Sequence, residues 1–156
     1  MSAATLPLPT PVAATRTRPR LAGGLYVPCI TTFDTREELD LNAFRAVLHH
    51  LLDGGVNGLV VCGTTGEAHA LEPQERQALW ETAVKEARGL VPVIAGAGAT
   101  TTREAHRLIA LAAACGCDAA MVLTPWFERT GPAGLAKYYD ELAEQAPLPM
   151  LLYHNP

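Results

Sequence analysis

Leu59-Val60-Val61-Cys62-Gly63-Thr64-Thr65-Gly66-Glu67 is an apolar run of strand type that breaks into two adjacent hydroxyls held between two glycines. Gly63 and Gly66 let the backbone turn sharply and come close to a ligand, because no side chain blocks the approach. Thr64 and Thr65 then offer hydroxyls and backbone N–H groups to a small anion without adding a charge of their own. Read alone, Gly63 to Glu67 is a plain strand-to-loop turn before it is a site, since ordinary turns also use Gly and Thr. The rest of the chain decides between the two.

Gly58 to Cys62 is one of five apolar runs of similar length, the others being Leu25 to Ile30, Val91 to Ala95, Ala119 to Leu123 and Pro149 to Tyr153. Helical patterns separate them. Leu41, Phe44, Val47, Leu48, Leu51 and Leu52 recur at helical spacing, with Asp40 as N-cap and Gly54-Gly55 as the stop. A second helix starts at Pro73, shows Leu79, Trp80, Ala83, Val84 and Ala87 on its apolar side, and ends at Gly89. Thr100, Thr101 and Thr102 offer caps for a third helix that runs to Gly116, and a fourth spans about Pro132 to Gln145. Each strand plus helix takes roughly 30 residues, the size of a βαβ unit. Strict alternation of runs that are apolar on both faces implies a parallel sheet covered by helices. A doubly wound sheet and an eight-stranded barrel both fit. The absence of Gly-x-Gly-x-x-Gly after the first strand, and the polar residues after the ends of several strands, favour the (β/α)8 TIM barrel.

Of 156 residues, 49% are hydrophobic and 18% charged, a composition of a soluble globular protein of one domain. A net charge of -4 with scattered Lys and Arg gives no basic patch for a nucleic acid. No apolar stretch approaches the roughly 20 residues of a membrane-spanning helix. Met1 to Gly24, with four prolines, three arginines and no acidic residue, is expected to be a disordered tail. Cys29, Cys62, Cys115 and Cys117 lie in or beside apolar segments and read as free thiols in a reducing compartment, so a cytoplasmic protein is expected. Cys115-Gly116-Cys117 lacks a second ligand pair and Glu67 with His69 lacks a third ligand, so no metal is expected. His49 and His50 are neighbours on one helix, point to different faces, and read as solvated. Gly96-Ala97-Gly98 admits a phosphate-loop reading, but close strand-to-helix packing explains it as well.

Five ordered segments resemble the dihydrodipicolinate synthase and N-acetylneuraminate lyase family of class I aldolases: Thr32-Phe33-Asp34, Gly63-Thr64-Thr65-Gly66-Glu67, Pro92-Val93-Ile94-Ala95-Gly96, Thr124-Pro125 and Tyr153-His154-Asn155-Pro156. Each is weak alone, while their order and spacing are specific. The resemblance covers Gly24 to Pro156. It implies an enzyme that forms a Schiff base between a lysine and a 2-oxo acid, usually pyruvate, and makes or breaks a carbon–carbon bond with an aldehyde or sugar acid, without a cofactor. It further implies that Thr65 binds the keto acid's carboxylate, with Thr64, Gly63 and Gly66 beside it, and that Tyr153 is the general acid and base. A phenol of pKa about 10 can donate a proton to a developing alkoxide and recover it when a hydroxyl such as Thr64 holds its oxygen. Relatives are commonly homotetramers.

Three departures from the family pattern matter. Trp126-Phe127 stands where a second tyrosine commonly closes a proton relay, so a water or a substrate-assisted route has to replace it. His154 follows Tyr153 where asparagine is usual. The family's Schiff-base lysine sits at the end of a sixth strand, whereas the only lysines here, Lys85 and Lys137, fall in predicted helices. The segment 25–156 is about half of the roughly 250 residues typical of the fold. The chain therefore reads as the N-terminal portion of a barrel, five strands and four helices, inactive at this length. It would expose its fifth strand as an unpaired edge and tend to self-associate. Phe127 tilts substrate choice from a lysine-pathway synthase toward N-acetylneuraminate lyase-like, hydroxy-oxoglutarate aldolase-like or sugar-acid dehydratase-like chemistry. A non-catalytic half barrel that binds a carboxylate is the reading outside enzymes.

Overall fold

The computed structural model describes residues 21–127 and 130–154. Five strands form one parallel sheet in the order of the chain: β1 (Tyr26–Pro28), β2 (Gly58–Val61), β3 (Val93–Gly96), β4 (Ala119–Leu123) and β5 (Met150–Tyr153). Four helices connect them: α1 (Leu41–Asp53), α2 (Pro73–Ala87), α3 (Thr102–Ala114) and α4 (Pro132–Gln145). Local chemistry sets the helix starts. The Asp40 carboxylate accepts from the Asn42 and Ala43 amides, both at 2.9 Å. Pro73 opens α2 with its missing N–H where none is needed, and Thr101 Oγ1 accepts from the Glu104 amide at 3.2 Å to open α3.

Alternation along the strands separates two faces. Leu59, Val61, Val93, Ala95, Ala120 and Val122 pack in one large core with the helices, whose contributions include Phe44, Trp80, Ile109 and Leu142. Val60, Ile94 and Ala119 form a second cluster on the opposite face, joined by Tyr26, Met121 and Leu151. All four helices thus cover one face, with strands in sequential order. A doubly wound sheet would carry helices on both faces and reverse its strand order at a switch point. The arrangement is that of the first five strands of a (β/α)8 barrel, with the second cluster on the barrel's inner side.

Several expected boundaries move. The first strand is three residues long rather than Leu25 to Ile30, and the third starts at Val93, after a proline that has no N–H for the ladder although its carbonyl accepts from the Leu59 amide at 3.0 Å. Cys62 falls outside β2, in a left-handed conformation with φ 58°. The expected tail lies outside the described residues as far as residue 20. Leu21 packs against the inner cluster and the Ala22 carbonyl accepts from the Tyr26 hydroxyl at 2.9 Å, so the folded part begins ahead of Leu25. His49 is exposed, and its Nε2 meets Glu86 on α2 at 2.8 Å. Cys115 caps α3 and Gly116, with φ 86°, turns the chain toward β4. Asp118, which the sequence reading passed over, is buried, and its carboxylate accepts from the Val93 amide at 2.9 Å. Among the described residues no helix is long and apolar enough to cross a membrane, and no group of three or more His, Cys, Asp or Glu is placed to hold a metal.

Gly96 at the end of β3 and Gly98 just beyond it pack against the end of β2 and against β4 rather than against a helix. A Cβ at Gly96 would lie 1.8 Å from the Cys62 carbonyl oxygen, and one at Gly98 would lie 2.9 Å from Leu123 Cβ. Main chain cannot yield at 1.8 Å without separating β2 from β3. Gly96→Ala is therefore expected to lower the unfolding free energy by at least about 3 kcal/mol in a urea titration. Gly23→Ala, with open space around it, is expected to stay within about 0.5 kcal/mol of the parent.

Candidate active site

The sheet's alternation brings Tyr153 to the inner side, in phase with Leu151, at the same end of the sheet at which β2 delivers Gly63 to Gly66. A cavity of about 470 Å³ lies there. Val60, Ile94, Met121 and Leu151 line it, together with Gly63, Thr64, Thr65 and Tyr153. A second cavity of about 250 Å³ shares Gly63, Thr64 and Tyr153 and extends to His69, Arg76 and Trp126. Four expected site residues, Gly63, Thr64 and Thr65 from one turn and Tyr153 from far along the chain, thus border one space. Thr64 and Thr65 are exposed and Tyr153 is half-buried. Among the described residues no hydrogen bond joins the Thr64 and Tyr153 hydroxyls.

The loop is built differently from the sequence reading. Neither Gly63 nor Gly66 has a positive φ; the left-handed positions are their neighbours Cys62 and Glu67, at 58° and 52°. Gly66 borders neither cavity. A Cβ there would meet the Cys29 carbonyl oxygen at 2.9 Å, and its own carbonyl accepts from the buried Thr31 hydroxyl at 2.7 Å. Gly66 is needed for backbone-to-backbone packing against the segment after β1. Gly63 has ordinary room, with Met121 Cε 3.4 Å from an added Cβ, so its small size opens the cavity wall. The turn closes on itself through Gly66 N to Gly63 O and Glu67 N to Thr64 O, both at 3.1 Å. Glu67 serves the loop through its backbone, while its side chain is exposed.

Other residues found only in the structure support the site. Arg76 on α2 donates from Nη2 to the Ala68 carbonyl just after the loop, while Nε and Nη1 are buried without a partner. Burial holds the Arg76 guanidinium below its usual pKa. Trp80, expected as a packing residue, is fully buried and also donates from Nε1 to the Val61 carbonyl at 3.3 Å. His154 borders neither cavity; its Nδ1 meets Thr124 Oγ1 at 3.1 Å, and the same oxygen meets the Tyr139 hydroxyl at 3.0 Å. A single strand-end pattern gives no hint of this cluster, because its members come from β5, α4 and the end of β4. Phe127 is 82% exposed and borders neither cavity, and Trp126 is 52% exposed. Asn155 and Pro156, quoted for the last motif, lie outside the described residues. Lys85 and Lys137 are exposed on α2 and α4, and neither borders the two cavities.

Residues 21–156 match the Dihydrodipicolinate synthetase family. The 4-hydroxy-tetrahydrodipicolinate synthase of Maridesulfovibrio salexigens is 39% identical over 133 residues, which is 85% of this chain and 45% of the relative. Among solved structures, the chloride-inhibited dihydrodipicolinate synthase from Acinetobacter baumannii, complexed with pyruvate, aligns with a TM-score of 0.83 at 33% identity, over 85% of this chain and 46% of that one. The N-acetylneuraminate lyase from Mycoplasma synoviae aligns with a TM-score of 0.77 at 27% identity, over 85% and 46%. The chain spans about half the length of the relatives it matches.

Beneath the loop, burial pushes the Cys29 and Cys62 thiols up from 9.0 to about 12. At neutral pH neither carries thiolate, so both are packing groups rather than nucleophiles. Each binds its proton more tightly folded than unfolded. The stability this gives is complete below pH 9 and is lost as pH rises toward 12. A thiol-disulfide reagent at pH 8 is expected to label Cys29 and Cys62 only when urea unfolds the chain. The urea midpoint is expected to fall between pH 9 and 12, less steeply in a Cys29→Ala, Cys62→Ala double variant.

Proposed function

Because the chain belongs to the Dihydrodipicolinate synthetase family, we propose that it carries the carboxylate-binding and proton-transfer groups of a Schiff-base lyase or aldolase that acts on pyruvate or a related 2-oxo acid. The observation that carries this reading is the convergence of Thr64, Thr65 and Tyr153 on one cavity at the C-terminal ends of the strands. Thr65 holds the acid's carboxylate with its hydroxyl and N–H, neutral donors that suit a small anion bordered by apolar wall. Tyr153 gives a proton to the alkoxide that develops as the carbon–carbon bond forms, and takes it back in the reverse direction. The Thr64 hydroxyl orients that phenol once a ligand is bound, a contact that the ligand-free hydroxyls do not make. Lys85 and Lys137 stand away from the cavity, so the amine comes from a part of the barrel that these 156 residues do not contain. By itself the chain binds the acid without forming the Schiff base.

Phe127 favours a second reading within the same chemistry. Lacking a hydroxyl and 82% exposed, it cannot pass a proton to Thr64, so an N-acetylneuraminate lyase-like, hydroxy-oxoglutarate aldolase-like or sugar-acid dehydratase-like reaction fits better than one needing a second tyrosine. The exposed Trp126 and Phe127 suit a subunit contact, and the reading includes a cytoplasmic homo-oligomer.

Pyruvate is expected to shift the Thr65 amide saturably in the chain, with affinity at least about tenfold weaker in Thr65→Val, about the loss of one charge-assisted hydrogen bond. Borohydride reduction should leave the mass of this chain unchanged, and should attach pyruvate to a lysine beyond residue 156 in a polypeptide that completes the barrel. In that longer polypeptide Tyr153→Phe is expected to lower kcat about 100-fold or more. A Thr65 amide indifferent to pyruvate sinks the reading.

A further inference from the structure

Tyr153 stands at the very end of its strand. Leu123 with Tyr153 is the final register pair between β4 and β5, and the Thr124 amide closes the ladder by donating to the Tyr153 carbonyl at 3.0 Å. Among the described residues β5 is paired on one side only. A strand end held by its ladder alone frays, and a shift of one residue turns a side chain to the other face. Proton transfer tolerates little of this, since a misplacement of about 1 Å costs on the order of 100-fold in rate. Something besides the ladder has to keep Tyr153 facing the cavity.

Three side chains behind the sheet supply it. Met121 and Leu123 border the cavities while Val122 packs with the helices, so Thr124, next in alternation, falls on the helix side. Its hydroxyl lies 3.0 Å from the Tyr139 hydroxyl on α4, 3.1 Å from His154 Nδ1 and 3.4 Å from the Tyr153 carbonyl. A hydroxyl has one proton to give. With Tyr139 donating into Thr124, that proton goes to His154 Nδ1, the nearer acceptor, which places the proton of a neutral imidazole on Nε2. His154 is thereby tied to the helix side, and alternation along β5 leaves the inner side to Tyr153. Thr124, Tyr139 and His154 border neither of the cavities that Tyr153 borders, so they act on the site only through it.

We propose that Thr124 is a positioning residue for Tyr153: its hydroxyl, oriented by Tyr139, anchors His154 on the helix side of β5 and so holds the Tyr153 phenol in the cavity. This rests on the reading of Tyr153 as the acid and base, and it makes His154 an anchor of the strand end rather than a substrate contact.

Thr124→Val keeps the size of the side chain and removes the hydroxyl, and His154→Phe changes an exposed position that does not threaten folding. In the 156-residue chain with ¹⁵N-labelled histidine, Nδ1 of neutral His154 is expected to resonate as a hydrogen-bonded acceptor, and to move toward the position of an unbonded ring nitrogen in Thr124→Val. The ring signals of Tyr153 are expected to move in Thr124→Val and in His154→Phe alike. In the polypeptide that completes the barrel, Thr124→Val is expected to lower kcat about tenfold, the worth of about one hydrogen bond, with KM for pyruvate within about twofold. Thr124→Ser should restore kcat. Added to Tyr153→Phe, Thr124→Val should cost nothing further, because nothing is left for it to position. Tyr153 ring signals that stay in place in both variants overturn the proposal, as does a Thr124→Val loss that adds in full to that of Tyr153→Phe. If Tyr153→Phe lowers kcat about 100-fold and Thr124→Val leaves it unchanged, the positioning role fails while the acid–base reading stands. An undiminished kcat in Tyr153→Phe sinks both.

Discussion

Where β2 and β3 end, their main chains come together with no space for a side chain between them, and Gly96 against the Cys62 carbonyl is the point of contact. From it the geometry of the loop follows. Cys62 turns into the left-handed region, a conformation that costs a non-glycine residue of order 1 kcal/mol and persists only where its surroundings hold it. Those surroundings are main-chain atoms on both sides: the Val61 carbonyl fixed by the Trp80 indole, and Gly66 pressed on the Cys29 carbonyl. Thr64 and Thr65 are carried on a turn whose two ends are pinned by three neighbouring segments. The backbone that carries their hydroxyls is thus ordered before any ligand could arrive, which is what preorganisation means energetically.

The sequence made the architecture legible because each level agreed with the next. Asp40, Pro73, Thr101 and Pro132 mark helix starts by local chemistry that tertiary contacts seldom override, and all four are where the helices begin. Strand ends were less legible. Pro92 lies outside β3 although its carbonyl is used by β2, and Cys62 leaves β2 through a backbone turn that nothing in a cysteine announces. The choice between a barrel and a doubly wound sheet rested on a missing motif and on polar strand ends. In the structure it rests on something stronger, the gathering of all four helices on the face that carries Leu59, Val93 and Ala120.

The site divides in the same way. Thr64, Thr65 and Tyr153 could be read because two short motifs fall at the ends of strands that alternate in phase. Gly66 and Gly96 could not, since a glycine kept free for a ligand and one kept free for a neighbouring backbone are identical letters. Arg76 was hidden for a related reason: it sits mid-helix among ordinary charged residues, and only the fold turns its guanidinium toward Ala68. Leu21 was grouped with the proline-rich start because composition averages over a window, whereas one leucine suffices to occupy the inner face beside Val60.

Thr64 and Thr65 stand on a platform of main chain, while His69 and Trp126 stand at the rim, Trp126 on a side chain that is more than a third exposed. Such a division separates what heredity can alter cheaply from what it cannot. Replacing a rim residue leaves the backbone contacts beneath Gly63 to Gly66 intact, so the periphery can vary without disturbing the turn that carries Thr64 and Thr65. Tolerance to change is thereby uneven: wide where side chains stand free, narrow where one backbone rests on another.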